Sequence, residues 1–132
     1  MKSEFDFTGI LSAGNKLESM IAMLLPAALA NVPFHSNSPA VKRYTAPGFP
    51  VHLAVHEVSP LIKTPLEYTQ PHIHKDEDEV NLIVSAKNLV YKIQVGSEVF
   101  IVSNNAGIWI PKGVLHAANV IEGAGFFVTI RI

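Results

Sequence analysis

Two histidines one residue apart, followed by a run of carboxylates, stand in Pro71-His72-Ile73-His74-Lys75-Asp76-Glu77-Asp78-Glu79. Alternate side chains of a β-strand leave the same face, so His72 and His74 can turn together toward one cation. A short turn after His74 starts the next strand near Glu79, whose carboxylate can return to that cation as a hard oxygen ligand. Asp78 is the rival, because alternation sends one of the two carboxylates inward and the other out; Glu79 is preferred for its longer reach. Two imidazoles and a carboxylate suit first-row divalent metals and leave coordination positions open. Asp76 and Glu77 read as a solvated hairpin tip.

A third imidazole comes in Gly107-Ile108-Trp109-Ile110-Pro111-Lys112-Gly113-Val114-Leu115-His116. Residues 110–113 read as a tight turn with proline second and glycine fourth, which puts His116 on the strand that leaves it. The spacing HxHxxxxE at His72, His74 and Glu79, followed by PxGxxH at Pro111, Gly113 and His116, resembles the two signature motifs of the cupin superfamily. That resemblance implies an all-β, jelly-roll β-barrel with a metal bound inside by His72, His74, Glu79 and His116. Only the inner part of each motif is retained: Leu66, Ala86 and Asn105 stand where the family pattern has glycines. Val120 stands where an asparagine usually follows the last histidine. Asn119 is one step early, and alternation turns it away from His116 unless a bulge intervenes.

Three neutral imidazoles and one carboxylate around a divalent ion leave a net positive site that attracts anionic oxygen ligands. Iron, manganese, nickel or zinc would suit it. The expected function is a metal-dependent enzyme, an oxygenase, isomerase or lyase acting on a small oxygenated molecule. The alternative is a non-catalytic module that binds or senses a small ligand. Tyr68 shares the parity of His72 and His74 and is the candidate proton carrier. Gln70, on the same face, and Asn81, on the face of Glu79, are candidate substrate contacts. His52 and His56 lie four apart and add a polar wall if their face is interior. Arg131, on the last strand, would clamp a carboxylate if it points inward. Tyr91, Trp109, Phe126 and Phe127 read as core.

These side chains need a sheet framework, and the sequence supplies one. Short β-prone segments bounded by turn residues recur at 41–45, 51–58, 66–74, 79–85, 90–94, 98–102, 107–110, 114–120 and 126–131, with Gly96-Ser97 as a hairpin signal. Residues 41–132 thus form the expected barrel. Residues 1–40 form an N-terminal extension: Asn15 and Glu18 cap a helix whose apolar stripe is Leu17, Met20, Ile21, Leu24 and Ala28. Pro26 should kink or end that helix, and the proline-rich and serine-rich 31–39 reads as a linker. On the strand from Glu79, Val80, Leu82 and Val84 make the opposite face apolar as well. A strand apolar on both faces is usually covered on both, so a homodimer is expected.

Length and composition agree with one domain. The chain has 132 residues, 48% of them hydrophobic and 16% charged, with a formal net charge of −1. There is no basic footprint for nucleic acid. The apolar run 20–30 is too short to span a bilayer, and the acidic Glu4 and Asp6 argue against a secretory leader. With no cysteine there is neither a disulfide framework nor thiolate metal chemistry. The expectation is a cytoplasmic protein whose partner is a small molecule, with neither nucleic acid nor membrane.

Overall fold

The computed structural model describes residues 21–60 and 63–132. Among the described residues nine strands follow one another: β1 (Leu25–Pro26), β2 (Val41–Thr45), β3 (His52–Val58), β4 (Glu79–Val84), β5 (Leu89–Val95), β6 (Glu98–Ser103), β7 (Ala106–Ile110), β8 (His116–Gly123) and β9 (Gly125–Arg131). They form a six-stranded sheet in the order β1-β2-β3-β9-β4-β7 and a three-stranded sheet in the order β6-β5-β8. After β4 the chain crosses to the small sheet for β5 and β6, returns for β7, crosses again for β8 and returns for β9. This is jelly-roll winding. The ladder is not continuous from one sheet to the other, so the expected closed barrel is an open two-sheet structure.

Turn chemistry sets the crossings. At Gly96-Ser97, Gly96 has φ +62° at the first central position of a two-residue hairpin, the place glycine takes in a II′ turn. The turn before His116 sits one residue later than the sequence suggests. Val114 N–H donates to Pro111 C=O (3.2 Å), and Gly113 occupies the third position with φ +82°, a conformation L side chains avoid. At the β8-to-β9 crossing Gly123 has φ +99°, and a Cβ there would lie 1.9 Å from the Asn88 carbonyl oxygen. Only glycine lets the two backbones approach so closely.

Between the sheets lie Val41, Val58, Tyr68, Ile83, Leu89, Tyr91, Ile93, Val120 and Phe127, all buried. The rings of Tyr91 on β5 and Phe127 on β9 stack at 4.4 Å and join the sheets. Each such side chain contributes about 1.5–3 kcal/mol through removal from water. Trp109 and Phe126, expected in the core, are instead 57% and 46% exposed, because alternation sends them to the outer face of the larger sheet beside Val80 and Val84.

Two expected elements differ. The helical extension is not supported where it can be seen. Its capping pair and first residues lie outside the described residues, and from Ile21 onward the chain is irregular, then extended. Leu25 and Pro26 pair with Thr45 and Tyr44 as an edge strand, where a proline costs no ladder bond. Ile21, Met23 and Leu24 are exposed, and Ala28 precedes a single 3₁₀ turn, Leu29–Asn31. Residues 66–74 likewise do not form a continuous strand. They pair only at Thr69 with His35 and at His72 with His116, since Pro71 has no N–H to give a ladder.

Candidate metal centre

The pairing of His72 with His116 builds the centre. Each backbone donates to the other, His72 N–H to His116 C=O at 3.0 Å and His116 N–H to His72 C=O at 2.9 Å. Residues directly opposite in an antiparallel pair carry their side chains on the same face, and the ring centroids lie 4.5 Å apart. His74, two residues on, brings its ring within 5.0 Å of His72 and 5.1 Å of His116. One ligand atom from each of the three rings lies within 4.8 Å of the others. Gly113 N–H donates to His74 C=O (2.8 Å), so the turn that delivers His116 is fastened to the backbone that delivers His74.

Two rings hold the tautomer that metal ligation needs. His72 Nδ1 lies 2.7 Å from the Gln70 carbonyl and His116 Nδ1 2.9 Å from the Val114 carbonyl. A carbonyl only accepts, so both Nδ1 atoms carry a proton, and in the neutral rings the lone pair lies on Nε2. His116 Nε2 is buried without a hydrogen-bond partner; its closest approach to a charged oxygen is 3.5 Å, to Glu79 Oε1, which is long for a hydrogen bond. An orphaned, buried nitrogen lone pair facing two other imidazoles fits a cation. His74 differs. Its Nδ1 lies 3.3 Å from Arg131 Nη1, a donor, so its proton sits on Nε2, which points at Glu79 Oε1 across 3.2 Å.

Glu79 opens β4 and is buried. Asn81, two residues on and on the same face, donates from Nδ2 to Glu79 Oε2 (2.9 Å) and to Thr129 Oγ1 (3.3 Å), which leaves Oε1 to face His74 and His116. Burial raises the Glu79 carboxyl, but the approach of His116, the Asn81 hydrogen bond and the charges of His116 and His74 outweigh it and bring it down to about 2. Burial lowers His116 too, yet the Glu79 carboxylate and the Val114 carbonyl raise it overall. His74 is lowered to about 4, first by burial and then by Arg131. Asp78 takes no part: its Oδ1 accepts from Lys112 N–H (2.8 Å) and its backbone pairs with Ile132.

A cavity of about 270 Å³ opens over the cluster, lined by His72, His74, Glu79 and His116 and also by His52, His56 and Arg131. His52 and His56 are interior, as their shared parity allowed. Burial, then nearby guanidinium groups, lower them to about 4 and about 3, so both rings are neutral near pH 7, and His56 Nδ1 has no partner. The other candidates are placed elsewhere. Tyr68 does not line the cavity: its buried hydroxyl donates to the Tyr91 hydroxyl (3.3 Å), and burial lifts it to about 12. The alternation that linked it to His72 is broken at Pro71. Gln70 is exposed and contributes only its backbone carbonyl. Asn81 positions Glu79 and is not on the cavity wall.

The sequence reading missed three contributors. Arg43 on β2 lines the cavity, which strand parity could have suggested had the inner face of β2 been known. The segment read as a linker supplies Val32, Pro33, Phe34 and His35 to the wall, with the Phe34 ring stacked on His72 at 5.5 Å and 2° between planes; an aromatic pair inside a polar stretch was the available signal. Asn119 faces away from the cavity, as alternation required, but it is buried. Its Oδ1 accepts from the N–H groups of Tyr68 and Thr69 (2.9 Å each), and its Nδ2 donates to Thr69 C=O (3.0 Å). It fastens β8 to the segment that carries His72.

No protein-family model matches the sequence, and no curated protein matches it. Solved structures do match the fold. The chain is similar to a cupin-2 domain from Rhodospirillum rubrum (18% identity, TM-score 0.53, covering 99% of this chain and 74% of that one). It is also similar to the polyketide cyclase RemF from Streptomyces resistomycificus (16%, 0.57, 86% and 75%), and to a predicted oxalate decarboxylase from Thermotoga maritima (11%, 0.55, 86% and 95%). At such identities the likeness speaks for the fold, and this is a small protein of the cupin fold.

Proposed function

We propose that this chain is a metal-dependent enzyme that acts on a small oxygenated molecule, with His72, His74 and His116 and the carboxylate of Glu79 holding a divalent iron, manganese, nickel or zinc ion. The observation that carries the reading is the convergence of three imidazole ligand atoms within 4.8 Å at the wall of a cavity large enough for a small substrate. Two similar structures are described as a polyketide cyclase and a predicted decarboxylase, which supports an enzyme without choosing the reaction. When bound, such an ion supplies a Lewis acid for substrate oxygens or, as iron, a redox centre for an oxygenase.

The chain's own residues do the rest. The Gln70 and Val114 carbonyls hold the His72 and His116 rings with Nε2 toward the ligand position. For His74 to present Nε2, its proton passes to Nδ1, and Arg131 then loses its acceptor there. Asn81 keeps Glu79 turned toward the imidazoles. His52 and His56, neutral in the cavity wall, replace Tyr68 as the side chains able to hydrogen-bond a substrate oxygen or hydroxyl. The buried, apolar Ala54 and Phe127 limit water around them.

Two measurements test this. Metal analysis of the purified protein should find about one ion per chain, lost in His72→Ala and His116→Ala. Turnover or oxygen uptake with diketones, catechols and keto acids should depend on that ion. Stoichiometric metal with ligand binding but no turnover across the panel would favour a binding or sensing module; no metal in any preparation would sink both the site and the enzyme. A homodimer through the outer face of the larger sheet, where Val84, Trp109 and Phe126 are exposed, belongs to the same proposal. Light scattering should give twice the chain mass, and Trp109→Glu should give one.

A further inference from the structure

The cavity carries more positive charge than the metal site requires. Among its lining residues two guanidinium groups, Arg43 and Arg131, face one carboxylate, Glu79, so the wall is net positive before any ion enters. Arg131 stands in register with Glu79 on β4 and with His52 on β3, beside the imidazoles. Arg43 stands in register with His56, four residues further along β3 and roughly 13 Å away along the strand. Ala54 on β3 and its register partner Thr129 on β9 lie between them, and the small Ala54 side chain leaves the floor of the cavity low.

Among the described residues, neither guanidinium is paired with a buried carboxylate. The ion pair of Arg131 is with Glu77 at 3.7 Å, at the mouth, where Glu77 is 44% exposed; a pair of that kind contributes about 0–1 kcal/mol and yields readily to a ligand. Arg43 is half-buried, and among the described residues it has no side-chain hydrogen bond or ion pair. A guanidinium in a cavity needs an anionic partner to offset its desolvation, and its planar fork matches a carboxylate.

We infer that the substrate is a small dicarboxylate or keto-diacid, one carboxylate held by Arg131 next to the imidazoles and the other by Arg43 across Ala54. This rests on the metal-site reading for the chemistry that follows, though not for the binding itself. The carbon chain between the carboxylates lies over Ala54 and Phe127, apolar groups that discriminate little between chain substituents. Thr129 offers one hydroxyl along the way. A monocarboxylate can satisfy only one of the two guanidinium groups.

The test is calorimetric titration of the metal-free and the manganese-loaded protein with oxalate, malonate, succinate, glutarate, acetate and butyrate. The dicarboxylate of best length should bind at least about tenfold more tightly than the monocarboxylates. Arg43→Gln and Arg131→Gln should each erase that advantage and bring dicarboxylate binding down to the level of the monocarboxylates. Arg43→Lys, which keeps the charge without the fork, guards against a folding defect in Arg43→Gln, and far-ultraviolet dichroism monitors both. Equal binding of the two classes by the unmodified protein, or an advantage that survives loss of Arg43, overturns the inference. Manganese binding without arginine-dependent diacid binding leaves the metal site standing and removes the clamp; diacid binding that follows Arg43 in a protein unable to load metal does the reverse.

Discussion

Replacing Asn119 by leucine should expose how the candidate metal centre is assembled. The leucine side chain has nearly the same size and no polar atoms, so the packing is kept and only hydrogen bonds are lost. Two buried N–H groups, on Tyr68 and Thr69, lose their acceptor, and the Thr69 carbonyl loses a donor. A buried polar group left unpaired costs about 1–3 kcal/mol, so the two N–H groups together predict a loss of about 2–6 kcal/mol, a large share of the 5–15 kcal/mol typical of a domain. The assay is equilibrium urea unfolding followed by circular dichroism, with unchanged slope and a lowered midpoint. Because the fastened segment carries His72 three residues further on, metal affinity should fall with stability, by about the 10–100-fold seen when supporting contacts of a ligand are removed. A leucine variant within about 0.5 kcal/mol of the unmodified protein, the range of neutral surface changes, would refute the reasoning.

Other expected outcomes follow from the same structure. Asn81→Leu frees Glu79 Oε2 and should weaken manganese binding by about tenfold in a metal titration, whereas His116→Ala should abolish it. Gly123→Ala forces a Cβ into the Asn88 carbonyl at a left-handed backbone position; a loss of at least about 1–3 kcal/mol in urea unfolding is expected. His56 is held by burial at about 3 against an ordinary 6.5, so between those values the unfolded chain takes up a proton that the folded chain refuses. Its contribution is therefore fully present above pH 6.5 and is lost as pH falls, at about 1.4 kcal/mol per pH unit. His56→Phe should flatten the stability profile between pH 6 and pH 4 by that slope, and an unchanged profile would mean that the ring is not buried neutral.

Much of the architecture was legible from local chemistry. Alternating apolar residues and turn signals located eight of the nine strands within a few residues, because both depend on near neighbours in the chain. The spacing of His72, His74, Glu79 and His116 pointed to four side chains that could converge, and the structure brings the three imidazoles together with Glu79 beside them. The apolar stripe from Leu17 read as a helix, but from Ile21 onward pairing with β2 decided the outcome, and Pro26 fits an edge strand.

What the residues alone determined was which groups could do chemistry, since side-chain type and strand parity are properties of the chain. What only the tertiary structure decided was which of them share a wall. Parity carried from His72 to Tyr68 fails at Pro71, where the ladder is interrupted, and so Tyr68 went to the core. Arg43 and the 32–35 segment reached the cavity through sheet register and a crossing that local sequence does not encode. Which of the two neighbouring carboxylates faces the imidazoles was decided in the same way: the Lys112 N–H occupies Asp78, and the Asn81 amide holds Glu79 inward.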